Sequence, residues 1–201
     1  MVETRADALT EALEREVRAK VRDSWDTARE RAIAEVGERA LGYEWMHAAA
    51  ARSYSTGASV SSAITLAMSS ASTLAAAATS QSPSPTPTTL VTCAILGAAS
   101  TAAAAVARWM DLDAAATRHH LSARAFARLA SEIKIQVQVP REDRHHAVEF
   151  LEKIVHAYNH TVDDGPPMPS FALSRFKAKV SSEDMDIAVP EIANGHWKIF
   201  K

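Results

Sequence analysis

The amino-acid sequence predicts an all-α protein: a long amphipathic N-terminal helix, a two-helix transmembrane hairpin and cytoplasmic C-terminal helices. Two observations lead there. Apolar residues recur every three or four positions over most of the chain, the period of a helix with one buried face. In a sequence whose residues are 23% charged, the stretch Ser53–Ala107 carries no Asp, Glu, Lys or Arg.

The first element covers residues 2–41. Its apolar stripe runs Leu9, Leu13, Val17, Val21, Trp25, then Ala28, Ala32, Val36 and Ala40. Steps of four dominate, so the stripe drifts around the helix and a tight left-handed coiled coil is not its natural product. Glu11–Arg15 and Glu14–Arg18 stand at i,i+4 in the favourable orientation for an exposed face. The stripe needs a partner, and the two available are the helix 109–139 of the same chain and the same helix of a neighbouring copy. The stripe's length favours the neighbour.

Helix continues past Gly42 into the uncharged region. There Val60–Ala78 mixes apolar residues with Ser and Thr, and Leu90–Ala107 is rich in Ala, Val, Ile and Leu. Between them "SQSPSPTPTT" (Ser80–Thr89) has prolines at 83, 85 and 87, which no helix interior tolerates. The flanks are therefore helices and the ten residues between them a linker.

Spanning a bilayer takes about 20 mainly apolar residues, which both flanks approach, at about 57–79 and 90–108. Arginines stand only outside the pair, with Arg39 and Arg52 before it and Arg108, Arg118, Arg124 and Arg128 after it. The linker has no Lys or Arg, so both termini are expected on the cytoplasmic side. Tyr43, Trp45, His47 and Arg52 at one end, and Arg108 and Trp109 at the other, are the expected membrane-interface anchors. A soluble hairpin normally shows charge on one face. The competing expectation is a soluble all-α self-assembling scaffold that buries the same Ala-rich hairpin between copies.

Two ridges of small residues run at i,i+4 through the spans. One is Ser59, Ala63, Ala67, Ala71 and Ala75; the other is Thr89, Cys93, Gly97, Thr101 and Ala105. Small side chains let helix backbones approach, which drives association in lipid. Helix packing is therefore assigned to Ala63, Ala67, Ala71, Ala75, Cys93, Gly97 and Thr101. A second side of the first span carries hydroxyls at Ser62, Thr65, Ser69 and Ser72. Either these bond back to their own helix carbonyls, or they face a lumen or a partner.

Beyond the hairpin, a helical pattern runs from Trp109 to Pro140 and another over 141–162, closed by "DDGPPMP". "SFALSRFKAKV" reads as a last short helix. The tail 181–201 lacks period, and its end "NGHWKIFK" reads as a strand or docked peptide. Domain limits follow as 1–41, 42–180 and 181–201.

The residues flanking the spans are similar to a known family. "YEWMHAAAARSYS" resembles the stretch that leads into the first span of SLATT domains, carried here by Tyr43, Trp45, His47, Ala51 and Tyr54. "RHHLSARAFARLASEIKIQVQVPREDR" resembles the helix that leaves the second span, carried by His119 or His120, Ala123, Phe126, Leu129, Glu132 and Ile133. "DDGPPMPSFALSRF" resembles the close of the versions encoded by large DNA viruses. The resemblance covers roughly 41–180, and helix 2–41 lies outside it. The first span departs from the family pattern, with Ser and Ala where bulky aliphatics and an aromatic are usual. The resemblance implies a two-helix membrane module with cytoplasmic helical extensions; members in bacterial conflict systems are predicted pore-forming effectors, and no activity carries over from the viral forms. The expected function is an oligomeric two-span membrane protein, pore-forming or membrane-organising, as a viral or effector membrane component.

Signs of other chemistry are thin. Net charge is −2, which gives no basis for nucleic-acid binding. Cys93 is the single cysteine, so an intrachain disulfide or a cysteine zinc site is excluded. The chain is charged from Glu3, unlike a secretory signal peptide. His119–His120 and His145–His146 are adjacent pairs whose rings diverge on a helix. His156 and His160 stand at i,i+4 without a carboxylate between them. No nucleophile motif or phosphate-binding glycine loop occurs. No enzyme activity, cofactor, metal or small-molecule substrate is expected; the expected partners are membrane lipid and further copies of the chain.

Overall fold

A computed structural model of the chain describes residues 3–80, 87–183 and 188–194, with backbone alone at 3–10, 78–80, 89–90, 107, 109–110, 183 and 194. Among the described residues the protein is all-helical, with no strand. Its helices are α1 (Glu3–Ser24), α2 (Thr27–Ser80), α3 (Pro87–Met110), α4 (Leu112–Gln138), α5 (Ala147–Asp164), α6 (Ser170–Glu183) and α7 (Glu191–Asn194), with a 3-10 turn at Arg141–Asp143. They form two compact units. One comprises Met1–Ala48 with His120–Lys201; the other is Ala49–His119.

The first unit is a conventional helical core. Trp25, Ile33, Tyr43, Met46, Phe126, Ile133, Phe150, Ile154, Tyr158 and Phe176 are buried together. Gly37 lets α2 lie close to α4, since a methyl group there would stand 3.2 Å from Ile133 Cγ2.

The expected single helix over 2–41 is in fact two, broken at Trp25–Asp26. The break has three causes. Trp25 turns inward, where its Nε1 donates to the His145 carbonyl at 2.8 Å. Asp26 then caps α2, its carboxylate accepting the Arg29 N–H at 2.7 Å. Ser24 Oγ accepts the Ala147 N–H at 3.0 Å, so the end of α1 satisfies a free donor at the start of α5. Near Val21 and Trp25, α1 packs on the 3-10 turn and α5, and Trp25 shares its core cluster with Phe126 and Ile133 of α4. Leu13 and Val17 stay 63% and 52% exposed.

Arg144 holds this junction. Its guanidinium lies 4.6 Å over the Trp25 ring and donates to Glu30 at 2.6 Å. It also donates to the Val139 and Val137 carbonyls at 2.7 Å each, acceptors that the end of α4 leaves open. Arg141 donates to the other Glu30 oxygen at 2.7 Å, and this bond is the main reason the Glu30 carboxyl lies below its usual range. These contacts explain why the helix expected from 141 begins only at Ala147. The intervening residues are used in closing α4.

Two further boundaries differ from expectation. The pattern running on from Arg108 is interrupted at Asp111, whose φ of 43° separates α3 from α4. Aspartate is among the few side chains that tolerate this left-handed region. The aperiodic tail is also partly core. Pro190 and Ala193 are buried, Glu191 accepts from Arg39 and Tyr158 at 2.8 Å each, and the Ala188 N–H donates to Glu38 at 2.8 Å. Residues 195–201, expected as strand or docked peptide, lie outside the described residues, as do linker residues 81–86. Pro87 opens α3, the position where its missing N–H and fixed φ cost nothing.

Candidate functional site

The second unit holds the uncharged stretch. Within it, Gly57 stands opposite Leu112, and Gly97 opposite Ser72. A groove of about 410 Å³ is lined by Gly57, Val60, Ser61 and Ile64 with Ala102, Ala103 and Val106. Rising numbers on α2 therefore meet falling numbers on α3, so their contacts run antiparallel.

Large apolar side chains in this unit point outward. Leu66 is 69% exposed, Leu74 72% and Ile95 62%. Val60, Ile64, Val91 and Val106 are exposed as well. By length and composition, one helix, Thr27–Ala77, is apolar enough to cross a membrane, and none of its apolar window is buried. The core helix of a soluble protein passes the same test of length and composition. The apolar stretch described on α3 is Val91–Val106, shorter than the roughly 20 residues a span needs, within a helix of 24 residues.

The small-residue ridges fall unevenly. Cys93 and Gly97 are half-buried, and Thr101 is exposed, donating to the Gly97 carbonyl at 2.9 Å. On α2, Ala63, Ala67 and Ala71 are exposed and Ala75 half-buried. On α2 the half-buried positions Gly57, Ser61, Thr65, Met68 and Ser72 are offset from the expected ridge.

The hydroxyls of this part of α2 fall into two groups. Ser59, Ser70 and Thr73 donate to the carbonyls four residues earlier, at 3.0, 2.8 and 2.9 Å. Ser62, Thr65 and Ser69 make no such bond among the described residues. With Ser61, Leu66 and Thr101 they line a second groove of about 810 Å³, which ends at Arg108, Asp111 and Asp113. The two aspartates were not singled out from sequence. Their signal was available: opposite charges at i, i+3 and i+5 directly after a long apolar run.

The interface anchors need correction. Tyr43 and His47 are buried in the core of the first unit. Tyr43 stacks on Phe126 with ring centroids 4.9 Å apart, and His47 on the same ring at 5.7 Å. Trp45 is half-buried against Phe176, with Lys179 Nζ 5.7 Å from its ring. A membrane-surface anchor has to reach the headgroups, and Tyr43 and His47 cannot. Burial, with the Glu191 carboxylate nearby, pushes the Tyr43 hydroxyl up to about 12. Tyr158 is shifted in the same direction, again chiefly by burial. Arg52 and Arg108 are exposed, and the Trp109 side chain lies outside the description.

These core contacts join the two stretches that carry the resemblance. Besides the Tyr43–Phe126 and His47–Phe126 stacks, Tyr54 stacks on His119 at 5.5 Å. Of the two histidines considered, His119 is buried and His120 exposed. Ala123, Leu129 and Ile133 are buried on the same side of α4 as Phe126. Burial, and secondarily the Arg118 cation, lowers the His119 pKa below its usual 6.5.

His156 and His160 have ring centroids 6.4 Å apart, and His160 Nδ1 lies 3.1 Å from Asp164. Among the described residues no group of three or more His, Cys, Asp or Glu is placed to hold a metal. No family model, curated protein or solved structure matches this chain.

Proposed function

We propose that the chain is a two-span membrane protein of the SLATT type. On this reading the C-terminal half of α2 and α3 form a transmembrane hairpin, both termini are cytoplasmic, and copies associate into a pore-forming or membrane-organising assembly. One observation carries the proposal: an uncharged helix pair turns Leu66, Leu74, Ile95 and their neighbours outward. Each such side chain left in water forgoes about 1.5–3 kcal/mol of burial, whereas hydrocarbon accepts it without cost. Two features support the details. Arginines occur only outside the spans, and among the positions that carry the resemblance Tyr43 and His47 stack on Phe126 and Tyr54 stacks on His119.

Alkaline carbonate extraction of membranes from expressing cells tests the reading. The chain stays in the membrane pellet and needs detergent for release. Recovery in the supernatant as a large assembly overturns the proposal in favour of the soluble scaffold, whose copies would cover the same face. For topology, single cysteines at Thr88 and Ser181 in a Cys93→Ser background are labelled with a membrane-impermeant reagent. Thr88 reacts from outside and Ser181 only from the cytoplasmic side; equal access from one side overturns the topology.

A further inference from the structure

We infer that the groove ending at Arg108 is the surface through which two copies of this chain meet, an inference that rests on the membrane reading above. Two independent features of one surface point there. Ser62, Thr65 and Ser69 line the groove, and their hydroxyls have no hydrogen-bond partner among the described residues, although Ser59, Ser70 and Thr73 of the same helix back-bond to its carbonyls. In hydrocarbon an unsatisfied hydroxyl is costly, and lipid tails offer it no partner. The same face of a second helix does.

The second feature is charge. Arg108, Asp111 and Asp113 share one end of the groove, yet none of them takes part in an ion pair among the described residues. Opposite charges, unpaired among the described residues and lining one end of one groove, make that face self-complementary. Copies inserted in the same orientation bring like depths together. The hydroxyls of one then meet those of the other, and Arg108 of one copy faces Asp111 and Asp113 of the next. This pairing reads register along the helices, since a shift by one turn separates charge from charge and hydroxyl from hydroxyl. The ridge Ala63, Ala67 and Ala71 lies outside this surface.

The test uses the full chain in its membrane, two differently tagged copies co-expressed, and recovery of one tag with the other after mild solubilisation. Arg108→Asp lowers co-recovery about fivefold, the scale of converting partly exposed attraction into repulsion. Reversing Asp113 or Asp111 to Arg in the same chain restores it. In a Cys93→Ser background, Thr65→Cys forms an oxidative cross-link between copies and Ala67→Cys does not. Failure of both aspartate reversals to restore recovery overturns the inference, as does cross-linking at Ala67 in place of Thr65. Free labelling of Thr65→Cys by an aqueous reagent without cross-linking also overturns it, because the hydroxyls would then face water. Carbonate release of the unaltered chain overturns the membrane reading and this surface together. Retention in the pellet without rescue overturns the surface alone.

Discussion

Helix α2 passes without a break through two regions that pack by opposite rules. Up to Ala48 it buries Ile33, Ala40, Tyr43 and Met46, and its charges at Glu30, Glu38 and Arg39 are all engaged by other elements. From Val60 to Leu74 it has no charge, its half-buried positions other than Met68 are small, and Val60, Ile64, Leu66 and Leu74 face out. Helical continuity therefore carries no information about environment. The placement of large against small residues does. In the first region Ile33, Tyr43 and Met46 are hidden; in the second Val60, Ile64, Leu66 and Leu74 are displayed.

The sharpest break of that contrast comes from truncating one large side chain in each region. Phe126 is fully buried and stacked on by Tyr43 and His47, so Phe126→Ala should cost about 3–5 kcal/mol. Leu66→Ala, at an exposed position of α2, should change stability by less than about 0.5 kcal/mol. Denaturant titration of the detergent-solubilised protein, followed by tryptophan fluorescence, measures both. A large loss for Leu66→Ala would mean that its face is covered by protein.

Two glycines of α2 give a smaller effect of opposite sign. A methyl group on Gly42 would stand 2.6 Å from Pro190 Cγ and 3.2 Å from Phe176 Cζ, whereas one on Gly57 would meet Leu112 at an ordinary 3.5 Å. Gly42→Ala should cost about 1–3 kcal/mol through overpacking and hasten proteolysis near residue 190. Gly57→Ala should stabilise by about 0.5–1 kcal/mol, since a helix-interior glycine only adds freedom to the unfolded chain. Equal effects at both positions would remove the distinction between a packed and an open region.

The same contrast explains what was readable from sequence. Period and charge marked the helices and the uncharged stretch, because both depend on neighbours along the chain. The break at Trp25–Asp26 was hidden: the stripe runs on through it, and its cause is a set of bonds to His145 and Ala147 far along the sequence. The tail was hidden for the same reason, as Glu191 is held by Arg39 and Tyr158. Tyr43 and His47 were mistaken for surface anchors because aromatics flanking an apolar run fit either a membrane interface or a core. Only their stacking on the buried Phe126 decides it. At the groove, the hydroxyls were legible and the aspartates were passed over as part of the next helix, since the turn at Asp111 leaves no period signal.

The smallest expected effect separates the two regions by pH. In the second unit His119 is buried against Tyr54 and its folded pKa lies below the usual 6.5. The unfolded chain therefore binds a proton that the folded chain resists, and protonation favours unfolding. The stability held by this neutral histidine is complete above about 6.5 and declines as pH falls from there toward the lowered folded value. In the first unit the depressed group is Glu30, whose charged form is held by Arg141 and Arg144. Its contribution is complete above about 4.5 and is lost only as pH falls through the still lower folded value. Acidification should thus loosen the surroundings of Tyr54 before the junction at Trp25. Hydrogen exchange followed by mass spectrometry at a series of pH values reads both segments in one protein. His119→Gln should flatten the first response and leave the second, and Glu30→Gln should do the reverse. Simultaneous loosening of both segments in the unaltered chain would show that the two regions unfold as one, and the division that the packing describes would not extend to their stability.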